Sequence, residues 1–145
     1  MRGLYLVFLA TLLAACSTSS PSLKTPSAQP RPAPLFEHLG AYTRPVSTRN
    51  SLAQRYFSQG LILTYGFNHA EAKRSFLAAL SLDPNCAMCA WGAGLVLGPN
   101  INLAMQETDN AEAYRMAQES QRLAAGASAV ERALIQALTV RYQSQ

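Results

Sequence analysis

Apolar residues recur at helical spacing in two neighbouring stretches of residues 53–84. Those of the first stretch lie four residues apart, at Phe57, Leu61 and Tyr65. Those of the second share one helical face: Ala72, Phe76, Ala79 and Leu80. Gly66 interrupts the pattern between them, and Pro84 ends it, because proline disfavours helical geometry in the residue before it. The pattern predicts two helices joined by a tight turn.

Two pairs of polar residues indicate where these helices begin. Ser51 is followed three residues later by Gln54, the spacing of a capping box. Asn68 is followed by Glu71 at the same spacing. We therefore expect Ser51 and Asn68 to cap the first and second helices.

The chain beyond Pro84 predicts more helices of the same kind. A third helix spans the region of Gly94, and residues 98–102 then form an enlarged turn, so that the next helix begins at Thr108 or Asp109. Gly126 is expected to end that helix in a left-handed conformation. Ser128 and Glu131 form another capping box, which starts a helix over residues 129–142.

The apolar face predicted for the last helix has no later sequence to cover it. Its positions are Val130, Ala133, Leu134, Ala137 and Leu138. Either the sequence is a piece of a longer protein, which is the interpretation we favour, or this face docks on a partner or on a second copy.

The order of small and large residues resembles the tetratricopeptide repeat, a helix-turn-helix unit of about 34 residues. The matching positions are Tyr56, Gly60, Ala72, Phe76, Ala79 and Pro84. Gly94 follows Gly60 by one repeat length, about 34 residues. The resemblance implies an all-α fold, a helical-hairpin solenoid of about two repeats over residues 51–145.

Three short motifs, FNHAEA, DPNCAMCAWG and LGPNIN, are similar to those of a subfamily of bacterial tetratricopeptide-repeat proteins. These relatives are longer envelope or secreted proteins, most without an assigned function. The resemblance therefore implies a fold more firmly than an activity.

The first 15 residues have the features of an export leader. Arg2 precedes an apolar run that is shorter than the 20 or so residues a membrane span needs. The run ends in Leu-Ala-Ala-Cys, which resembles the lipobox of bacterial lipoproteins, and this implies that Cys16 is lipidated. The resemblance predicts a cell-envelope protein anchored on the periplasmic side. Ser17 after the cysteine favours the outer membrane by the enterobacterial sorting rule.

Residues 16–50 separate the anchor from the helices in two parts. Five of the eight prolines lie in residues 17–34, where no apolar period exists, so we predict a disordered tether. Residues 35–50 are more apolar, and we expect them to dock on the helices as an arm.

Cys86 and Cys89 form a C-x-x-C motif that permits several interpretations. Covalent haem attachment would need histidine at position 90, which is alanine. A thioredoxin-like redox site needs a strand before the motif, and a metal site needs further ligands, since helix geometry places His69 about 20 Å from Cys86. Export into an oxidising compartment favours a structural disulfide. Thiol-redox or metal chemistry is the alternative.

Charge and composition give no sign of a nucleic-acid partner or of catalysis. The net charge is +4 without a basic run. His38 and His69 lack a nucleophile or ligand pattern around them, and we expect no enzyme activity, resident metal or cofactor.

A partner surface is the function that the repeat resemblance implies. First helices of such repeats line a concave face that binds proteins or peptides. In this sequence the corresponding residues are Gln54, Phe57, Leu61, Tyr65, Met88, Trp91 and Leu95. We expect an interaction scaffold that is held at the membrane by its lipid.

Overall fold

The computed structural model describes residues 33–142. It contains five α-helices: α1 (Ser51–Tyr65), α2 (His69–Leu82), α3 (Ala87–Leu95), α4 (Asn110–Arg122) and α5 (Ala129–Thr139). Short 3-10 turns, Glu107–Asp109 and Ala124–Gly126, precede α4 and α5. No strand occurs within these residues. The expectation of an all-helical domain is therefore confirmed.

The predicted leader, the predicted lipidation site at Cys16 and residues 17–32 of the predicted tether lie outside the described residues. Ala33 and Pro34, the last two residues of that tether, are described, and their carbonyls accept hydrogen bonds from side chains of α1.

The helices pack in chain order around one core. α1 packs on α2, α3 packs on α4 and also contacts α2, and α5 covers parts of α3 and α4. The ring of Phe76 lies at the centre, 5.4 Å from the ring of Phe57. A Cβ atom on Gly60 would lie 2.8 Å from the Phe76 ring, and one on Gly92 would lie closer still. Glycine at these two positions therefore lets α1 and α3 approach the two sides of one aromatic ring.

Gly94 repeats, in the second hairpin, the contact that Gly60 makes in the first. A Cβ atom on Gly94 would lie 3.2 Å from Cβ of Met116 on α4. Each of these glycines thus faces the second helix of its own hairpin. Gly92, whose contact with Phe76 is the closest of the three, was not singled out by the sequence pattern.

The helix caps agree in part with expectation. Asn50, not Ser51, caps α1, because its side chain accepts hydrogen bonds from the backbone N–H groups of Leu52 and Ala53. Asn68 caps α2 as predicted, and Ser128 forms the predicted capping box with Glu131. The left-handed conformation expected at Gly126 is wrong: the chain leaves α4 through a 3-10 turn.

The buried face of α5 differs from the predicted one. Ile135, Leu138 and the side chain of Glu131 are buried, whereas Val130 is 61% exposed and Ala133 and Ala137 are also exposed. The predicted stripe therefore lies mainly on the outer surface of this helix.

The segment that runs along α1 without regular secondary structure begins two residues before the predicted arm of residues 35–50. Residues 33–50 are called the arm from here on. Their last residues reach two other elements: the Ser47 N–H and hydroxyl donate to Glu131 at the start of α5, and the Thr48 hydroxyl donates to Asp83 after α2. None of the helices within residues 33–142 is long and apolar enough to cross a membrane.

Candidate functional site: an aromatic cup

The residues predicted to bind a partner fall into two groups. Phe57, Leu61, Met88 and Trp91 are buried, with at most 9% exposure, and they form part of the core of this chain. Gln54 and Leu95 are half-buried, and Tyr65 is 71% exposed. Much of the face that the repeat resemblance predicted to bind a partner is therefore part of the core. The exposed part of this face lies at its far end, where α1 ends at Tyr65.

That far end is a cavity of about 420 Å³, here called the cup. It lies where the end of α1, the end of α3 and the loop after α3 meet. Its lining includes Tyr65, Phe67, His69, Trp91, Leu95 and Asn100. The indole N–H of Trp91 donates to the Leu134 carbonyl on α5, so this ring is held in place from behind. The cup thus combines a fixed aromatic floor with exposed aromatic rims.

Phe67 forms one rim through an unusual backbone conformation. α1 ends in a Schellman motif, in which Asn68 N–H donates to the Leu63 carbonyl and Phe67 N–H to the Thr64 carbonyl. This motif places Phe67 at φ +58°, in the left-handed region where glycine is usual. Gly66, one residue earlier, has an ordinary φ of −82°. The chain therefore carries a bulky aromatic at the one position of this turn that favours glycine.

The ring of Phe67 is exposed although the backbone conformation of this residue is energetically unfavourable. It is 57% exposed and stacks on the imidazole of His69, with the ring centroids 6.1 Å apart and the planes 19° from parallel. A left-handed conformation costs a residue other than glycine about 1–2 kcal/mol, and such strain is concentrated at functional sites. Because the exposed ring is buried so little, packing within residues 33–142 does not account for the left-handed conformation of Phe67.

His69 and Asn100 connect this rim to the loop after α3. The Asn100 amide nitrogen lies 3.4 Å from His69 Nδ1. The Asn100 side-chain oxygen accepts hydrogen bonds from the N–H groups of Asn102 and Leu103, which closes the loop into a tight turn. A second cavity, of about 280 Å³, shares His69 and Asn100 with the cup and also includes Lys73 and Met105 in its lining. The pair thus belongs to the lining of both cavities.

The charge that lines the cup is positive. Arg141, at the end of α5, is the charged residue of its lining, and its guanidinium donates to the Pro99 carbonyl at 2.7 Å. Among residues 33–142, no Asp or Glu side chain lines this cavity. The cup therefore suits an apolar or aromatic group accompanied by negative charge.

The C-x-x-C motif lies away from the cup, at the beginning of α3. The two sulfur atoms are at disulfide-bonding distance. Cys86 is also the N-cap of the helix, since its sulfur accepts a hydrogen bond from Cys89 N–H at 3.2 Å. Both residues are 0% exposed, so a redox partner would find no sulfur to attack without local opening. Within residues 33–142 no three His, Cys, Asp or Glu side chains cluster as a metal site would require.

Of the residues that line the cup, Tyr65, Trp91 and Leu95 were predicted from the repeat resemblance to lie on a concave partner-binding face, whereas Phe67 was not predicted as a site residue. A signal was present: the dipeptide Gly66-Phe67 places glycine one position before the helix-ending residue that would favour it. The sequence pattern did not bring His69 and Asn100 together: His69 lacks a ligand pattern around it, and Asn100 lies within the predicted enlarged turn of residues 98–102. Their pairing depends on how the loop after α3 folds back, which residue spacing does not predict.

Comparison with known proteins gives no relative from which a role could be transferred: no family model, curated protein or solved structure matches the chain. The geometry of the cup is therefore the basis for assigning a function.

Proposed function

We propose that this protein is an interaction module of the bacterial cell envelope, and that the cup binds a protein or peptide partner. The module is an array of helical hairpins of the tetratricopeptide-repeat type, held at the membrane by a lipid on Cys16. It acts by presenting a surface and carries out no chemistry of its own.

The observation that carries the proposal is the conformation of Phe67. A strained backbone position keeps an aromatic ring exposed beside Tyr65, over a floor made by Trp91 and Leu95. Aromatic residues supply much of the binding energy at protein interfaces, because they bury large areas with little loss of rotamer freedom. A partner that covers these rings would supply the burial that the free chain lacks.

The packing of the hairpins supports the repeat-type architecture. A three-residue connection joins α1 to α2, and small residues face large ones across each hairpin, Gly60 against Phe76 and Gly94 against Met116. These are contacts expected for stacked hairpins, which bury a continuous core between neighbours and leave one end of the groove for binding.

Arg141 and the lack of acidic residues in the lining favour a partner segment that carries an apolar side chain next to a carboxylate. An exposed charge of this kind contributes more to orientation and to the rate of association than to affinity. The aromatic rims would therefore hold the partner, and Arg141 would set its direction.

A photo-cross-linking experiment tests the proposal. A photoreactive phenylalanine analogue is placed at position 65 of the full chain in growing cells, and the envelope fraction is irradiated. We expect a discrete protein adduct, because the position 65 side chain stands at the rim of the cup.

The matched control carries the same analogue at position 118, an exposed glutamine on α4 away from the cup. An adduct that forms at position 65 and not at position 118, with a yield that falls when Arg141 is replaced by glutamate, supports the proposal. The same adducts at both positions, or none at position 65, would contradict it.

A further inference from the structure

The side-chain amide of Asn100 has its orientation fixed by the backbone that follows it. Its oxygen accepts hydrogen bonds from the Asn102 N–H at 2.8 Å and from the Leu103 N–H at 3.1 Å. If the amide were rotated by 180°, its NH2 group would face these two N–H donors and could accept from neither. The NH2 group must therefore point away from these residues, toward His69. Residues 100–103 are here called the Asn100 turn.

This orientation decides which form of His69 can make the contact. The Asn100 amide nitrogen lies 3.4 Å from Nδ1 of His69. An NH2 group only donates, so Nδ1 must offer its lone pair, and the imidazole must be neutral with its hydrogen on Nε2. Protonation would place an N–H on Nδ1, and two donors would then face each other with no acceptor between them. The contact therefore exists only with a neutral His69.

The surroundings of His69 offer no replacement partner for a protonated imidazole. Four titratable groups share its two cavities: Lys73, Asp109, Tyr65 and Arg141. Lys73 is already paired with Glu112 on α4, at 2.5 Å. Within residues 33–142 no carboxylate oxygen lies at ion-pair distance from His69. His69 is also the first residue of α2, where a positive charge opposes the helix macrodipole.

The two neighbours of the imidazole respond differently to protonation. Phe67 stacks on the His69 ring, and an aromatic face attracts a cation, so this stack is retained. The Asn100 turn loses its contact, and little burial holds it in place, since Ile101 is 92% exposed and Leu103 is 59% exposed. Protonation therefore frees the turn and not the aromatic ring.

We infer that His69 makes the cup sensitive to pH: the neutral imidazole holds the Asn100 turn on α2, and protonation releases it. Histidine ordinarily changes charge between about pH 8 and pH 5, so the release falls within this range. Pro99 stays bound to Arg141, which confines the movement to the turn itself. Because Asn100 lines the cup, a released turn weakens partner binding. This last consequence rests on the proposed function, whereas the release of the turn does not.

The release is measured by NMR on the ¹⁵N-labelled full chain in detergent, as backbone order parameters of residues 100–103. We expect rigid values of about 0.85 at about pH 8 and a fall below about 0.6 at about pH 5. His69→Gln should abolish this response, because its side-chain oxygen accepts from Asn100 and does not titrate. His38→Gln is the matched control. It removes the other of the two histidines, which is exposed in the arm, and should leave the response unchanged.

Asn100→Asp is the decisive variant, because it should reverse the sign of the response. One carboxylate oxygen can still accept from the N–H groups of the turn, and the other now faces His69. An aspartate is ordinarily ionised throughout this range, so it binds a protonated imidazole more tightly than a neutral one. The turn should then be more rigid at about pH 5 than at about pH 8. The inference is overturned if the wild-type turn does not respond to pH, if the response persists in His69→Gln, or if Asn100→Asp responds with the wild-type sign.

The effect on the cup is measured separately, by irradiating envelope fractions with the photoreactive analogue at position 65 after equilibration at either pH. Loss of one neutral hydrogen bond should reduce the adduct yield about 2- to 10-fold at about pH 5, and His69→Gln should remove this difference. A turn that responds to pH in a chain that forms no adduct at either pH contradicts the proposed partner and supports the release. A responding turn with equal adduct yields at both pH values overturns the regulation of the cup.

Discussion

At the scale of single residues, one aromatic ring determines how closely three helices approach. Phe76 lies between Gly60 of α1 and Gly92 of α3, and a side chain at either glycine would enter its ring. Core packing is dense enough that such a clash cannot be relieved locally. The three helices therefore meet at a point where even one methyl group is too large.

The first prediction concerns Gly92→Ala. Overpacking costs about 1–3 kcal/mol, and we expect the free energy of unfolding to fall by this amount although alanine is the better helix former. Gly126→Ala is the control, because a Cβ atom there has no neighbour within 4 Å. Denaturant unfolding of both variants provides the measurement. Equal midpoints for the two would show that Phe76 can move aside and that the close approach is not structural.

At the scale of elements, the start of α5 holds the end of the arm. The buried carboxylate of Glu131 accepts hydrogen bonds from the Ser47 N–H and hydroxyl and from the Ser128 N–H. Burial raises the pKa of Glu131, but these hydrogen bonds lower it by more, so that the net pKa lies below its ordinary value of 4.5. A folded-state pKa below the unfolded one stabilises the fold above the unfolded pKa.

The second prediction follows from the lowered pKa of Glu131. The stability due to Glu131 should be complete at pH 7 and should be lost below about pH 4.5, as the pH falls through the lowered pKa. Glu131→Gln should therefore lower the free energy of unfolding by about 1–2 kcal/mol at pH 7 and by much less near pH 3. Thermal melts of both proteins across this range give the difference. A deficit that stays constant with pH would indicate that the negative charge plays no part.

The beginning of α3 provides a third prediction, because the cysteine pair has two separable roles. Closing a loop of this size contributes about 2 kcal/mol in the chain-entropy account. A hydroxyl at position 86 can replace the sulfur as N-cap, whereas a methyl group cannot.

Two variants that both lack the disulfide separate these roles. Cys86→Ser with Cys89→Ala should lose about 2 kcal/mol, and Cys86→Ala with Cys89→Ala should lose about 1 kcal/mol more. Equal losses in denaturant unfolding would rule out the cap. Because both sulfurs are buried, dithiothreitol should reduce the wild type only when denaturant is added.

The elements also show how far local sequence determines this structure. Helices α1 and α2, the Asn68 cap and the Ser128–Glu131 capping box follow from spacing and short-range hydrogen bonds, and the structure contains them. Asn50 was missed because a capping-box spacing at Ser51 competed with it, and Gln54 binds the arm instead. Long-range contacts decided the remainder: the outward face of α5, and the loop that brings Asn100 to His69. The hydrophobic periodicity of the sequence predicts neither of these two features.

At the scale of the whole molecule, we propose that a lipid on Cys16 holds the binding surface at the membrane. Cys16 lies well before Ser51, where α1 begins, so we expect the helices to fold without the anchor. Several acyl chains on one cysteine would hold the protein durably, whereas one chain gives only marginal binding.

The fourth prediction tests the anchor. Wild-type chain should incorporate radiolabelled palmitate and mature to an N-terminus at Cys16. Cys16→Ser should do neither, while its helical domain melts at the wild-type temperature. Label that persists in Cys16→Ser would place the lipid elsewhere or refute it.

We propose that Phe67 is kept in a strained conformation for binding and not for folding. Phe67→Gly is the sharpest test of this proposal, because glycine adopts φ +58° freely and removes the exposed ring. The strain relieved, about 1–2 kcal/mol, offsets the extra flexibility of glycine in the unfolded chain. For this variant we expect a melting temperature equal to or above that of the wild type, together with loss of the adduct formed from position 65. An adduct of undiminished yield in Phe67→Gly would contradict it.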